Sequence, residues 1–280
     1  MSDLFSGLES LGLGSLEGMS IYDEEKKAAT DAKGQAAVHE VTEEELLLDR
    51  TFKCPVCDNQ FKSKTVKTGK VRLLSQDTDL RPKYTPFDAL KYDAVACPKC
   101  GYAAVARFFN VMTTPQAKLI KEKISVGFKG IDNEKATYSY EDAIERHKLA
   151  LVNAVVKKAR ISERAYTCMR LGWLYRGMAE ALPKDTPNYE TTIQSLKAQE
   201  NEFIKNAYEG FSAALSKEDF PICGMDENTL VYLVADLARR SGKYDIALKL
   251  LSEVITSRSA KSALKDKARD LKEIISAERK

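Results

Sequence analysis

Apolar and polar positions follow two different rhythms along the chain. From Thr113 onward apolar residues recur every three to four positions, as in LVYLVADLARRSGKYDIALKLLSEVI at 230–255, which predicts a succession of amphipathic helices. The first is expected to start at Thr113-Thr114-Pro115, where proline suits the opening turn, and only 182–199 and 216–228 break the pattern. Between residues 46 and 110 the rhythm shortens. Strand-like runs at 70–74 and 92–96 alternate with turn-rich stretches such as SQDTDLRPKYTPFD. The first twenty residues space Leu4, Phe5, Leu8 and Leu11 at helical intervals, but Gly7, Gly12, Gly14 and Gly18 disfavour a free-standing helix, so the stretch reads as a docking segment. Residues 22–45 are polar and acidic, as in a tether. The expected organisation is a head and tether at 1–45, a small β module at 46–110 and a helical domain at 111–280, an α+β protein that is mostly α.

Composition narrows the class. The 280 residues are 44% hydrophobic and 30% charged, with a mean hydropathy of -0.36, which argues against both a membrane-embedded protein and wholesale disorder. No basic, apolar leader opens the chain, and a cytoplasmic location is expected. The net charge of +3 conceals a division: residues 1–49 hold 3 Lys/Arg against 12 Asp/Glu, residues 50–110 hold 12 against 5, and the remainder hold 29 against 24.

The chemistry concentrates in four of the six cysteines. Cys54-Pro-Val-Cys57 and Cys97-Pro-Lys-Cys100-Gly101 are two C-x-x-C pairs separated by 39 residues. A tetrahedral Zn²⁺ takes four thiolates, and a two-residue spacer lets one tight turn present two of them, so each pair is half a site. Strand-like residues flank both turns, and a zinc ribbon with structural Zn²⁺ on Cys54, Cys57, Cys97 and Cys100 is expected. The separation exceeds the 15–20 residues usual for such sites and calls for an inserted hairpin. The alternative is a redox C-x-x-C, which needs a βαβ context and has no use for a second pair. Four thiolates leave no coordination position for a catalytic water, so no enzyme activity is expected. Cys168 and Cys223 read as small buried hydrophobes, and neither His39 nor His147 has ligand-spaced partners.

The insertion changes sign abruptly. Lys62, Lys64, Lys67, Lys70 and Arg72 precede Asp77, Asp79, Arg81 and Lys83. A basic ribbon near Phe61, Tyr84 and Phe87 is what an RNA- or DNA-binding module would show, whereas lysines on a short strand also serve simply to keep it soluble. Lys67, Lys70, Arg72, Asp77, Asp79, Arg81 and Lys83 are the candidate partner-binding set. Asp77, Asp79 and Arg81 are alternatively a local Asx turn or, more remotely, an acid–base group.

The segment at 228–257 resembles a tetratricopeptide repeat, with Gly242 closing its first helix and Ala247 and Leu251 in its second. A degenerate copy runs from Leu171-Gly172-Trp173-Leu174-Tyr175 to Ala207 and Phe211, with 183–199 pushing its helices apart, and half a copy surrounds Tyr140 to Ala150. A generic helical bundle is the competing reading. The opening LFSGLESLGLG, the acidic tether, the CPVC and CPKCGY pairs around GKVRLLSQDTDLRPKY, and TTPQAKLIKEKIS together resemble an uncharacterised family of bacterial cytoplasmic proteins, seen chiefly in Firmicutes. That resemblance implies a zinc-ribbon-like N-terminal part and a tetratricopeptide-like C-terminal part, and implies no reaction. The expected function is a non-catalytic, zinc-binding adaptor that holds a protein or peptide through its helical array, with basic groove walls selecting acidic peptides. The alternative is a nucleic-acid binder using the basic ribbon.

Overall fold

The computed structural model describes residues 41–279, which from Thr42 onward form one compact unit. The head, most of the tether and His39 lie outside the described residues. The chain enters through a 3-10 turn, Glu44–Leu46, into β1 (Leu47–Lys53), which pairs antiparallel with β2 (Gln60–Val66) from Leu47↔Val66 to Lys53↔Gln60. A second hairpin joins β3 (Arg72–Gln76) to β4 (Pro82–Thr85), and a third joins β5 (Ala94–Ala96) to β6 (Ala103–Val105). Each pair is its own two-stranded sheet.

Two isolated strands bury too little to stand alone, so each hairpin leans on something else. Phe52 and Phe61, opposite each other on β1 and β2, pack with Phe109 at ring separations of 5.6 and 6.1 Å. The three β5 residues and the three β6 residues are all buried. The run expected as a strand at 92–96 begins instead as a 3-10 turn, Ala89–Tyr92, because the Asp88 carboxylate accepts the Leu90 N–H at 3.0 Å and fixes a turn there.

Seven α-helices follow among the described residues: α1 (Thr114–Ile120), continued by a π-helical turn Lys121–Ser125, α2 (Tyr140–Val156), α3 (Ile161–Ala181), α4 (Tyr189–Lys217), α5 (Glu227–Arg240), α6 (Tyr244–Thr256) and α7 (Ser262–Glu278). The first starts where expected, with Pro115 in its opening turn and the Thr113 N–H donating to Gln116 Oε1 at 3.0 Å. The predicted break at 182–199 is largely helix: α4 begins at Tyr189 and runs for 29 residues. Its first three turns are polar and bury only Leu196, so the periodic signal there is faint. None of the described helices is long and apolar enough to cross a membrane.

Small residues set the closest helix contact. A Cβ on Gly172 of α3 would lie 2.8 Å from Ile204 of α4, and one on Gly210 of α4 would lie 2.7 Å from Ala165 of α3. Ala207 and Ala247 are fully buried, and the main core runs from Leu171 and Leu174 through Phe211 and Leu233 to Leu251 and Ile275. A second core joins the strands to the helices: Cys54, Cys97 and Cys100 pack with Phe61, Tyr102 and Phe109 and with Ile120 and Val156. At that junction Lys157, 1% exposed, pairs with Glu163 at 2.7 Å.

Candidate metal centre and the buried ionic cluster

Each C-x-x-C pair sits in a turn closed by its own backbone. In the first, Cys54 N–H donates to Asn59 O at 2.9 Å and Asp58 N–H to Cys54 O at 3.0 Å. In the second, Cys97 N–H donates to Tyr102 O at 2.8 Å and Gly101 N–H to Cys97 O at 3.1 Å. The residue after the second cysteine of each pair is left-handed, Asp58 at φ 58° and Gly101 at φ 74°. The two turns are thus copies of one knuckle, and they face each other.

All four Sγ atoms lie within 4.8 Å of one another, with Cys54 to Cys100 at 3.5 Å and Cys57 to Cys97 at 3.7 Å. Thiolates about 2.3 Å from a tetrahedral centre stand about 3.8 Å apart, so the spacing fits a four-sulfur ion site. Cys54, Cys97 and Cys100 are buried and Cys57 half-buried, and no disulfide joins them. Hydrogen bonds from Cys100 and Cys54 hold the Cys97 thiol down to about 2, whereas Cys100 is pushed up by its bonds to Cys54 and Cys97 and by burial. A divalent cation at the centre of four sulfurs this close favours their thiolate form.

Asn153 of α2, Ser125 of the π-helical turn and Phe128 of the loop beyond it roof the second knuckle. Asn153 Nδ2 donates to Gly101 O at 2.9 Å, Ser125 Oγ to Cys100 O at 2.8 Å, and the Phe128 ring covers Gly101 so closely that a Cβ there would lie 2.6 Å from it.

The hairpin inserted between the knuckles carries the second cluster. Its tip, residues 77–81, is pinned by Asp77 N–H to Arg81 O at 2.9 Å and Leu80 N–H to Asp77 O at 2.9 Å, with Leu80 at φ 64°. Asp79 is fully buried. Arg176 of α3 grips it with two bonds, 3.0 Å to Oδ1 and 2.7 Å to Oδ2, while Trp173 Nε1 donates to Oδ2 at 3.0 Å and Arg240 of α5 stands 3.4 Å away. Burial alone would raise the Asp79 carboxyl; the Arg176 and Arg240 charges outweigh it and hold the group below the usual carboxylate range. Thr78 Oγ1 donates to Asp236 Oδ2 at 2.8 Å and accepts from Arg239 and Arg240. Asp77 accepts from Arg176 at 2.9 Å, Arg81 reaches Glu180 at 3.0 Å, and Gln76 accepts from Lys267 of α7 at 3.1 Å.

Asp79 and Arg81, expected among the partner-facing residues, are therefore inside the molecule, and Asp77 is largely so; their charges are taken up by α3 and α5. Lys83 bridges Asp77 and Glu180, and Lys67 donates to the Glu45 carbonyl at 2.8 Å. Lys70 and Arg72 are exposed. Lys64 pairs with Asp49 at 2.8 Å, and the Phe61 ring belongs to the sulfur-side core and not to a stacking surface. His147 is buried with Nδ1 2.7 Å from Ala143 O, and burial lowers its pKa. Arg176, Asp236, Arg239 and Arg240 were not singled out from sequence; each sits at a helical position indistinguishable by pattern from a solvated charge.

Apart from this cluster, the helices leave an open groove of about 530 Å³ along α2, α3 and α4. Ile144, Tyr175, Met178 and Leu196 line it, and Glu141, Asp142, Glu145 and Lys148 form its charged rim.

A family model described as "Uncharacterized protein conserved in bacteria (DUF2225)" matches residues 47–275. An uncharacterized protein of Borreliella burgdorferi is 23% identical over 164 residues, 52% of this chain and 59% of the relative, so the match spans little more than half of that protein's length. No solved structure matches.

Proposed function

The chain belongs to the bacterial family DUF2225, and from that premise we propose that it is a zinc-stabilised, non-catalytic adaptor whose helical array holds a protein segment. The observation that carries this reading is the four-sulfur cluster. Cys54, Cys57, Cys97 and Cys100 would hold Zn²⁺ as a complete thiolate shell, buried under Asn153, Ser125 and Phe128, and a shell of that kind ties chain segments together without offering a position for substrate. The α3–α4 and α5–α6 pairs are read as tetratricopeptide-like hairpins, supported by the Gly172–Ile204 approach and the buried Ala207 and Ala247.

The open groove sets the partner's chemistry. An acidic peptide is the sequence expectation, but Glu141 and Glu145 with one lysine rim an apolar floor, Asp142 being paired with Lys135, and the two carboxylates suit a basic segment with an apolar face. The nucleic-acid alternative has less support, since Phe61 is inside and Lys64 and Lys67 are engaged within the chain.

Two measurements test the reading. Elemental analysis of the purified full chain is expected to find one zinc per chain; a metal-free, fully folded protein rejects the zinc. Cross-linking in native lysate is expected to capture a partner that Glu141→Arg/Glu145→Arg loses and Lys70→Ala/Arg72→Ala retains; capture unaffected by the groove substitutions rejects the partner surface.

A further inference from the structure

The hairpin tip contacts the helices as a bound peptide would. Its strands pair only with each other, every side chain of β3 is exposed, and Leu73 and Leu74 project into solvent at 53% and 68% exposure. The tip makes the buried part of the hairpin's hold on the array, flanked by Gln76 to Lys267 and Lys83 to Glu180, and the hold is mainly polar: Asp77, Thr78, Asp79 and Arg81 meet Trp173, Arg176, Glu180, Asp236, Arg239 and Arg240, while Leu80 adds an apolar contact to the main core. The tip does not fill its surroundings. A cavity of about 120 Å³ lies beside Gln76, Asp77 and Thr78 against α5 and α7.

We propose that this face of the array, built from α3, α5 and α7, is a recognition site for an acidic turn of Asp-x-Asp-x-Arg chemistry, and that the chain's own β3–β4 hairpin occupies it as an exchangeable ligand in cis. The donors are arranged for carboxylates. Arg176 presents two N–H groups to one carboxylate in the fork geometry that distinguishes arginine from lysine, and Trp173 supplies a third donor at a fixed angle. Glu180 receives the cation that follows two residues later. Buried ion pairs of this kind specify partner and register more than they add net stability, because desolvation offsets much of their attraction. A hairpin held chiefly by such pairs can leave without dismantling the apolar core behind it, and a ligand carrying the same groups then meets a site already formed. The cis hairpin competes at the high effective concentration of a tethered segment, so intact protein binds such a ligand weakly. This surface is separate from the α2–α4 groove, and failure of either proposal leaves the other standing.

The probe is a fluorescent peptide of residues 71–85, VRLLSQDTDLRPKYT, titrated into the full zinc-loaded chain by anisotropy. Asp79→Asn, which weakens the cis contact, is expected to bind it at least about tenfold more tightly than the unsubstituted chain, and adding Arg176→Gln is expected to abolish the gain. Equal affinities, or no binding by a folded Asp79→Asn chain, overturn the proposal. Hydrogen exchange on the unsubstituted chain decides the matter if that variant fails to fold. Amides of 72–85 are expected to exchange through a local opening well below the global one, and exchange of those amides only together with α3 and α5 overturns the proposal.

Discussion

The knuckle pair and the hairpin tip solve one problem with different chemistry. Both bring distant residues into a buried cluster: the knuckles join Cys54 to Cys100, and the tip joins Thr78 to Arg240 across 162 positions. The knuckles do so with four identical soft ligands around one centre, a geometry that dictates local spacing and a left-handed residue after each pair. The tip does so with carboxylates and guanidinium groups that impose no spacing at all. A site whose chemistry constrains its own neighbourhood is visible in one dimension, and a site assembled from opposite charges on different elements is not.

Removing a sulfur is the harshest way to break that comparison. Cys97→Ser is expected to abolish zinc binding and collapse the strand module, because structural zinc in small modules contributes on the order of 10 kcal/mol to folding; elemental analysis and thermal unfolding followed by circular dichroism check it. A chain that keeps its unfolding temperature without the ion would make the knuckles no stronger than the tip. Asp79→Ala comes next, since it leaves Trp173 Nε1 and Nη2 of Arg176 without their acceptor, Arg176 keeping its bonds to Asp77 and Glu200. Losing one partner of a buried pair costs about 3–5 kcal/mol, and the loss is read from the denaturation midpoint.

Acid offers a gentler probe of the same cluster. The folded-state pKa of Asp79 lies below its unfolded value, so its contribution is present above about pH 4 and is lost as pH falls through the folded value. The stability of the unsubstituted chain should therefore drop more steeply below pH 4 than that of Asp79→Ala, and parallel curves would remove the carboxylate from the account. The smallest effect is expected at the exposed Lys53–Asp58 pair beside the first knuckle, 3.1 Å apart with side chains 65% and 81% exposed. Lys53→Ala should change stability by less than about 1 kcal/mol, which calibrates how much burial adds to the pairs at the tip.

The same contrast explains what could be read from sequence. The cysteine turns, their flanking strands and the helix start at Thr113 each rest on rules that act within a few residues, and all are where those rules put them. The opening turns of α4 escaped because Tyr189 to Gln199 place only Leu196 against the core. The sign change from Lys70 and Arg72 to Asp77 and Asp79 was visible, but what it was for was not. Nothing near residue 79 points to Arg176 or Arg240, and nothing in α3 marks Arg176 as turned inward. The roof over the second knuckle was equally hidden, since Asn153 and Phe128 acquire their roles only when α2 and the segment before it lie across Gly101.

The reach of the tip across the chain also orders events during synthesis. The ribosome finishes Asp77 and Asp79 long before it makes α5, and at roughly 5–20 residues per second the 162 positions between Thr78 and Arg240 correspond to about 8–32 s. For the first part of that interval, until α3 brings Trp173 and Arg176, the nascent hairpin carries two carboxylates and two solvent-facing leucines with no array to receive them. The newborn polypeptide thus passes through a stage in which its acidic loop is on offer to whatever stands near the tunnel exit.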